Sequence, residues 1–282
     1  MSCDESMPTA SGVSSRSVSA RARSPDLHSG RVDYVRCGEP GALLESIVVT
    51  VLALRGLHAG YGGVPVVRGL DFTVAAGEVV ALLGPNGAGK TTILSTISGL
   101  LPGIAGEVEI MGRPTDSQHP FRVARRGVAH VPEDRSLFFS LTVMENLQVV
   151  GGIRRRDRHR AYERVFDLFP GLRPLQARKA GLLSGGEQQM LAMARAVITE
   201  PDLLLVDEMS LGLAPVAVEK MLPVVRRVAD EGAAVVIVEQ HIHLALELAD
   251  RAVVIANGRV VVEGQASALR HDLSRIREGY FG

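Results

Sequence analysis

The sequence predicts an α/β fold built on a mainly parallel sheet, and three observations carry that prediction. Residues 79–83 (VVALL), 203–206 (LLLV) and 234–238 (AVVIV) are unbroken apolar runs, as strands buried on both faces read. A glycine-rich loop, residues 84–92 (GPNGAGKTT), follows the first run directly and opens a helix that Gly99 and Pro102 close. Strands and helices alternate along the chain, the pattern of a parallel sheet covered on both sides.

The loop fits the pattern G-x-x-x-x-G-K-[ST], with Gly84, Gly89, Lys90 and Thr91 at the fixed places. Strand, loop and helix in that order are the context the motif requires. Glycines let the backbone wrap closely around phosphate oxygens with N–H groups turned inward. The helix N-terminus adds about half a positive charge at the same point. Lys90 is placed to neutralise β- and γ-phosphates, and Thr91 to offer its hydroxyl to Mg²⁺. The candidate nucleotide-binding set is Gly84, Pro85, Asn86, Gly87, Ala88, Gly89, Lys90, Thr91 and Thr92.

Composition limits the alternatives. The chain has 282 residues, 46% of them hydrophobic, enough for one large α/β domain with a sizeable core. The 31 basic and 31 acidic side chains balance, which argues against a pervasive nucleic-acid footprint. The two cysteines, Cys3 and Cys37, lie near the N-terminus, so the folded part is expected to hold no disulfide and to suit a reducing cytoplasm. The apolar run at 47–54 is broken by Thr50 and is too short to span a bilayer, so work at a membrane would go through a partner. Residues 1–48, rich in Ser, Arg, Gly and Pro and without periodicity, read as a disordered tail ahead of a domain at 49–282. Asp4, Glu5, Asp26 and Asp33 argue against a transit peptide; a translation start near Val49 or Val51 is the other reading of the tail.

In order, 51–57 reads as a strand, with Tyr61 in the glycine-rich turn just beyond it, and 66–74 as another strand or two. Residues 106–111 alternate apolar and polar, as a half-exposed strand does, and 128–131 is a short strand before Pro132. Residues 141–182 read as mostly helical. Thr142 caps a helix at 143–150, and 160–168 carries Tyr162, Val165 and Phe166 on one side. The basic cluster between them, 154–160, reads as a solvated connection rather than a lipid-binding patch. Ser184 opens a helix through Ile198. Residues 218–228 read as a helix kinked at Pro223, and 242–248 as a further helix. Asn257-Gly258 between apolar runs predicts a type I′ hairpin.

Two more places carry chemistry. Asp207 and Glu208 end an apolar strand at the edge where ligands of doubly wound sheets bind. Asp207 suits Mg²⁺ and Glu208 suits the polarisation of an attacking water. Residues 183–189 (LSGGEQQ) place Ser184, Gly185 and Gly186 at a helix N-terminus, a second anion receptor without a lysine.

The LSGGEQQ stretch together with the phosphate loop resembles the ATP-binding subunits of ABC transporters, over about residues 50–282. That resemblance implies a P-loop NTPase core with a mainly parallel sheet, a small antiparallel β-subdomain and an inserted helical subdomain at about 134–182. It implies ATP and Mg²⁺, and two subunits that sandwich two ATP molecules head to tail. Each γ-phosphate then meets the loop of one subunit and the Ser-Gly-Gly of the other. Within the family the chain is similar above all to subunits of branched-chain amino-acid importers, through VPEDR (131–135), LSGGEQQMLA (183–192), SLGLAP (210–215), VEQ (238–240) and the terminal Tyr280-Phe281-Gly282.

On that resemblance Tyr61 stacks on adenine, and Glu133, where most relatives have glutamine, ligates Mg²⁺ with Thr91 and Asp207. Gln240, where most relatives have histidine, touches the γ-phosphate; His241, one position along, points elsewhere. The catalytic set is then Glu208, Gln240 and Lys90. The implied partners are membrane permeases at the cytoplasmic face of the cell membrane, a sister subunit or second copy, a solute-binding protein indirectly, and no nucleic acid. Alternative readings are urea or amide import, a related export system such as lipopolysaccharide export, a soluble ABC-type ATPase, and an inactive binding subunit. A soluble translation factor of that type carries two ATPase halves and a repair type a long coiled coil, and neither is present. Two departures stand out: Ala214 replaces an Asp usual in the wider family, and Met209 replaces a proline. Proline holds the residue before it extended, so Met209→Pro is expected from sequence to leave ATPase turnover equal or higher.

Overall fold

The computed structural model describes residues 32–33, 48–115 and 119–281. The expectation of disorder for 1–48 therefore falls almost wholly outside the described residues. In order the elements are β1 (Val32–Asp33), β2 (Val48–Tyr61), β3 (Val64–Ala75), β4 (Val79–Leu83), α1 (Lys90–Ile97), β5 (Gly103–Ile110), β6 (Arg113–Pro114), α2 (Pro120–Ala124), β7 (Val128–Val131) and α3 (Val143–Gln148). Then come α4 (Arg158–Leu168), α5 (Gly185–Val197), β8 (Leu203–Asp207), α6 (Pro215–Asp230), β9 (Ala234–Val238), α7 (Ile242–Leu248), β10 (Arg251–Ala256), β11 (Arg259–Gln265), α8 (Ala266–His271) and α9 (Leu273–Phe281).

Six strands form the central sheet in the order β11-β10-β4-β9-β8-β7. The pairings β10–β4, β4–β9, β9–β8 and β8–β7 are parallel, and β11 closes the edge antiparallel. Every residue of β4, β8 and β9 is buried. Their side chains alternate between two cores, because successive residues of a strand face opposite ways. Val79, Ala81, Leu83, Leu204, Val206, Val235 and Ile237 meet α5, α6 and α7 on one face. Val80, Leu82, Leu203, Leu205, Val236 and Val238 meet α1 and the antiparallel sheet on the other. The apolar runs lack polar alternation for this reason: neither face is wet. The mainly parallel α/β class is as expected.

The second sheet holds β1, β2, β5 and β6 in that order, with β3 on β2; the pairings are antiparallel. It is the small antiparallel subdomain. Strand β2 is longer than the 51–57 that periodicity marks. Gly56 sits at φ 52 and the register shifts between Leu54 and Leu57, so alternation breaks while pairing continues to Tyr61. The stretch 66–74 lies inside one strand, β3.

The 141–182 stretch is less helical than its composition suggests. Thr142 does cap α3, through a reciprocal capping box with Glu145, but the helix ends at Gln148. Pro170–Leu175 and Ala180–Leu182 are 3₁₀ turns rather than α-helix. Helix α6 begins with Pro215 and runs through Pro223 without ending there. The hairpin at Asn257-Gly258 has φ 51 and 75, both positive, as a type I′ turn requires.

Candidate nucleotide-binding site

The phosphate loop leaves the C-terminal end of β4 and turns into α1. Gly84 has φ 150, and a Cβ there would lie 2.1 Å from the Ile255 carbonyl oxygen of β10, so only glycine fits. The loop borders a cleft of about 470 Å³. Tyr61, Asn86, Gly87, Gly89, Lys90, Thr91, Thr92, Glu133, Glu208 and Gln240 line it. Val66, which no motif marked, and Leu211, quoted in SLGLAP without a role, complete its wall. Gly84, Pro85 and Ala88 lie in the loop behind the lining.

Lys90 is 5% exposed, and its Nζ donates to the carbonyls of Gly84 (2.8 Å) and Pro85 (3.0 Å). Burial lowers its pKa, and the Glu208 and Asp207 carboxylates pull it back up. Tyr61 stands at the rim at the end of β2, 58% exposed, with a ring face free for a planar partner.

Asp207 is fully buried, and neither carboxylate oxygen has a hydrogen-bond partner. Burial pushes its pKa up to about 6, and the Glu208 and Glu133 charges push the same way. The Thr91 hydroxyl and Lys90 pull it down, but Thr91 closes no bond of normal geometry, so the carboxylate stays orphaned. A buried carboxylate without a donor is costly unless a cation completes it. Thr91, Glu133 and Asp207 also border a second opening beside the cleft, so the three predicted Mg²⁺ ligands do converge. Among the described residues no group of three or more His, Cys, Asp or Glu could hold a metal ion alone. A cation here needs nucleotide oxygens or water to fill its shell, as Mg²⁺ beside phosphates does.

The orphaned carboxylate gives a stability prediction. A pKa near 6 lies above the ordinary 3.8, so the native state binds the proton more tightly than the unfolded chain does. Its stabilising share is complete below about pH 3.8 and is lost as pH rises through about 6. The loss amounts to about 3 kcal/mol. Asp207→Asn is expected to remove that slope. Urea unfolding of both proteins across this range checks it, and parallel curves would contradict it.

Glu208 follows Asp207 with a left-handed backbone, φ 48, and its N–H donates to the Val238 carbonyl at 2.9 Å. Such a conformation costs a non-glycine residue about 1–3 kcal/mol. Both carboxylate oxygens accept from the Gln240 amide nitrogen, at 2.7 and 2.8 Å. Gln240 thus reaches the cleft from the end of β9, while His241 is absent from the lining. Ser210 and Glu239, which the motifs left unassigned, form a buried pair just behind.

Ser184 caps α5 through a capping box with Glu187: its N–H donates to the Glu187 carboxylate at 2.7 Å, and its Oγ accepts at 3.3 Å. Ser184, Gly185 and Gly186 do not line the cleft, and the first two are exposed. The fold therefore does not bring the two predicted anion receptors to one phosphate within this chain. Arg135, quoted in VPEDR without a role, joins their neighbourhoods. Its guanidinium donates to Gln189 Oε1 (2.8 Å) and Gln188 Oε1 (3.1 Å) of α5, two residues past Glu133.

A family model described as "ABC transporter" matches residues 67–210. The chain belongs to the ABC transporter family. It is an ATP-binding, ATP-hydrolysing subunit of that family. It is 39% identical over 233 residues to the high-affinity branched-chain amino acid transport ATP-binding protein BraG of Pseudomonas aeruginosa, covering 82% of this chain and 100% of the relative. It is 38% identical over 224 residues to the Nod factor export ATP-binding protein I of Burkholderia lata, covering 78% and 73%. A solved ATP-binding subunit of an ABC transporter superposes with a TM-score of 0.73 at 28% identity, covering 82% of this chain and 98% of that one. A dimeric bacterial ABC transporter cassette superposes with 0.69 at 25%, covering 76% and 98%.

Within this ABC subunit, Met209 is where sequence and structure part. Its side chain is 1% exposed and packs in the core under α5 and α6. A proline at 209 would remove that side chain and drive Glu208 toward extended backbone, away from φ 48. The structure reverses the expectation drawn from sequence: Met209→Pro should cost roughly 2–5 kcal/mol of stability and lower turnover. Urea unfolding and phosphate release measure the two effects.

Proposed function

We propose that this subunit binds MgATP in the cleft, pairs with a second copy or a sister subunit, and powers a membrane importer for branched-chain amino acids. The observation that carries the site reading is the meeting of Lys90, Thr91, Glu133 and the Gln240-held Glu208 at one cleft, with the orphaned Asp207 at the adjoining opening that Thr91 and Glu133 share. The loop amides and Lys90 hold the β- and γ-phosphates, and Tyr61 stacks on adenine. Thr91, Asp207 and Glu133 would hold Mg²⁺, which when bound would supply positive charge to the phosphate oxygens. Glu208 takes a proton from water as the water oxygen attacks the γ-phosphorus; the bond to the bridging oxygen breaks and ADP leaves. Gln240 donates to the γ-phosphate; its amide carries two N–H groups, and the contacts to the two Glu208 oxygens need only one of them.

Pairing follows from the exposed Ser184-Gly185 at the start of α5, which points at no phosphate of its own chain. A second molecule would place its nucleotide there; that a similar cassette is dimeric supports pairing. Among the described residues no helix is long and apolar enough to cross a membrane. In this reading the subunit works at the cytoplasmic face, through permease subunits, with a solute-binding protein delivering cargo on the other side. The cargo reading rests on the BraG relative together with Glu133, Gln240 and Ala214. The Nod factor export relative favours a second reading, the same motor on an exporter. Co-purification from membranes, followed by leucine uptake with and without the gene, tests both. Capture of importer permeases and loss of uptake are expected, and capture of an export permease would replace the first reading with the second.

A further inference from the structure

We infer that Ser210 and Glu239 form a positioning clamp that holds the catalytic Glu208 in its left-handed backbone. The inference rests on the assignment of Glu208 as the base. Glu239 is 1% exposed, and both its oxygens are used by one residue: Oε1 accepts from the Ser210 N–H at 3.0 Å and Oε2 from the Ser210 hydroxyl at 2.6 Å. Ser210 lies two residues after Glu208, and Glu239 one residue before Gln240. The Gln240 amide donates in turn to Glu208. The links close a ring across the ends of β8 and β9: Glu208, Met209, Ser210, then Glu239, Gln240 and back to Glu208. The Glu208 N–H to the Val238 carbonyl locks its inner side.

A left-handed non-glycine residue persists only where its surroundings over-determine it. The following residue, Met209, is not a proline, which would push Glu208 toward extended backbone, and it leaves the left-handed conformation open without fixing it. The constraint comes instead from charge-assisted bonds to a buried carboxylate, which are short and directional. Such a clamp has one part that moves and one that stays. Gln240 is exposed and can turn from Glu208 toward a phosphate. The buried Ser210–Glu239 pair keeps the backbone, and hence the carboxylate, over the same place while it does so. Neither residue lines the cleft, so the pair acts on turnover and not on ATP affinity.

The test uses the full chain and phosphate release at saturating and limiting ATP, with Ser210→Ala, Ser210→Thr, Glu239→Gln and the Ser210→Ala/Glu239→Gln double variant. Ser210→Ala and Glu239→Gln are each expected to lower kcat about tenfold, with KM for ATP within about twofold of the parent. Ser210→Thr, which keeps the hydroxyl, is expected to restore most of kcat. The double variant is expected to be no worse than the worse single one, because both changes break one link. If Glu239→Gln fails to fold, the Ser210→Ala and Ser210→Thr pair decides alone. A loss confined to KM, a kcat unchanged in Ser210→Ala, or multiplicative losses in the double variant would overturn the clamp. Glu208→Gln run alongside separates two failures. If it is inactive while Ser210→Ala is not, only the clamp falls; if it turns over normally, the base assignment falls and the clamp with it.

Discussion

Glu208→Gln is expected to lower steady-state ATP turnover by roughly 100- to 10 000-fold while leaving ATP binding in place. The substitution keeps the shape of the side chain and removes its ability to take a proton. Glu208 is half-buried at the cleft, near enough for its charge to act on Lys90; glutamine there removes a negative charge from beside the phosphates and leaves the loop amides and Lys90 in place, so affinity has no reason to fall. In the parent, Gln240 donates to both Glu208 oxygens; in the variant one oxygen becomes an amide nitrogen, and that half of the contact is lost. Gln240 is then freer to engage the γ-phosphate, and ATP-bound pairs should accumulate. Phosphate release gives the rate, and gel filtration with and without ATP gives the pairing. Near-normal turnover would move the base to another group.

Gly185→Asp is expected to cost nearly as much turnover through a different route, with the fold intact. A Cβ at Gly185 would meet nothing closer than the Leu213 Cδ2 at 3.6 Å, ordinary contact, so the side chain fits. An acidic residue in the first turn of α5 favours the helix. The same charge would face the γ-phosphate of the opposing nucleotide. At about 4 Å and an effective dielectric near 20, each unit of like charge costs about 4 kcal/mol. The Arg135 guanidinium, 4.0 Å from that Cβ, would draw part of the new charge away. A loss of roughly 30- to 1000-fold follows. Thermal unfolding should be unchanged or slightly raised. The decisive measurement mixes protomers: a chain carrying Gly185→Asp should silence the cleft of its partner and not its own. Full activity of the mixed pair would leave each cleft self-sufficient and end the proposal that two chains share a nucleotide.

Much of this was legible because its signals are local. Residues 79–92 announce strand, loop and helix within 14 positions, and the structure places them so. Ser184 and Glu187 sit three apart, the spacing of a capping box, and form one. Asn257-Gly258 names its own turn type. The misses have physical causes too. Periodicity ended β2 at 57 because Gly56 inserts a bulge, whereas pairing to β3 and β5 carries the strand further. The sequence read 141–182 as mostly helical, but Pro170 and Pro174 allow only a 3₁₀ turn there. The helices α8 and α9 were not read at all: they are short, and the apolar residues Leu269 and Ile276 are buried against the core.

By itself the sequence determined the phosphate loop, the acidic pair at 207–208, the Ser-Gly-Gly helix start and the strand pattern that makes the sheet parallel. These depend on residues within a few positions of each other, where backbone conformation and side-chain period are set by near neighbours. Only the tertiary structure decided how the site is held. Ser210 meets Glu239 across 29 positions, Gln240 meets Glu208 across 32, and Arg135 reaches Gln189 across 54. Each of these meetings exists because the sheet sets β8 between β7 and β9, in a register where Asp207 faces Val238. Strand order is a property of the whole packed core, so the left-handed Glu208 and the network around it appear only once that core is assembled.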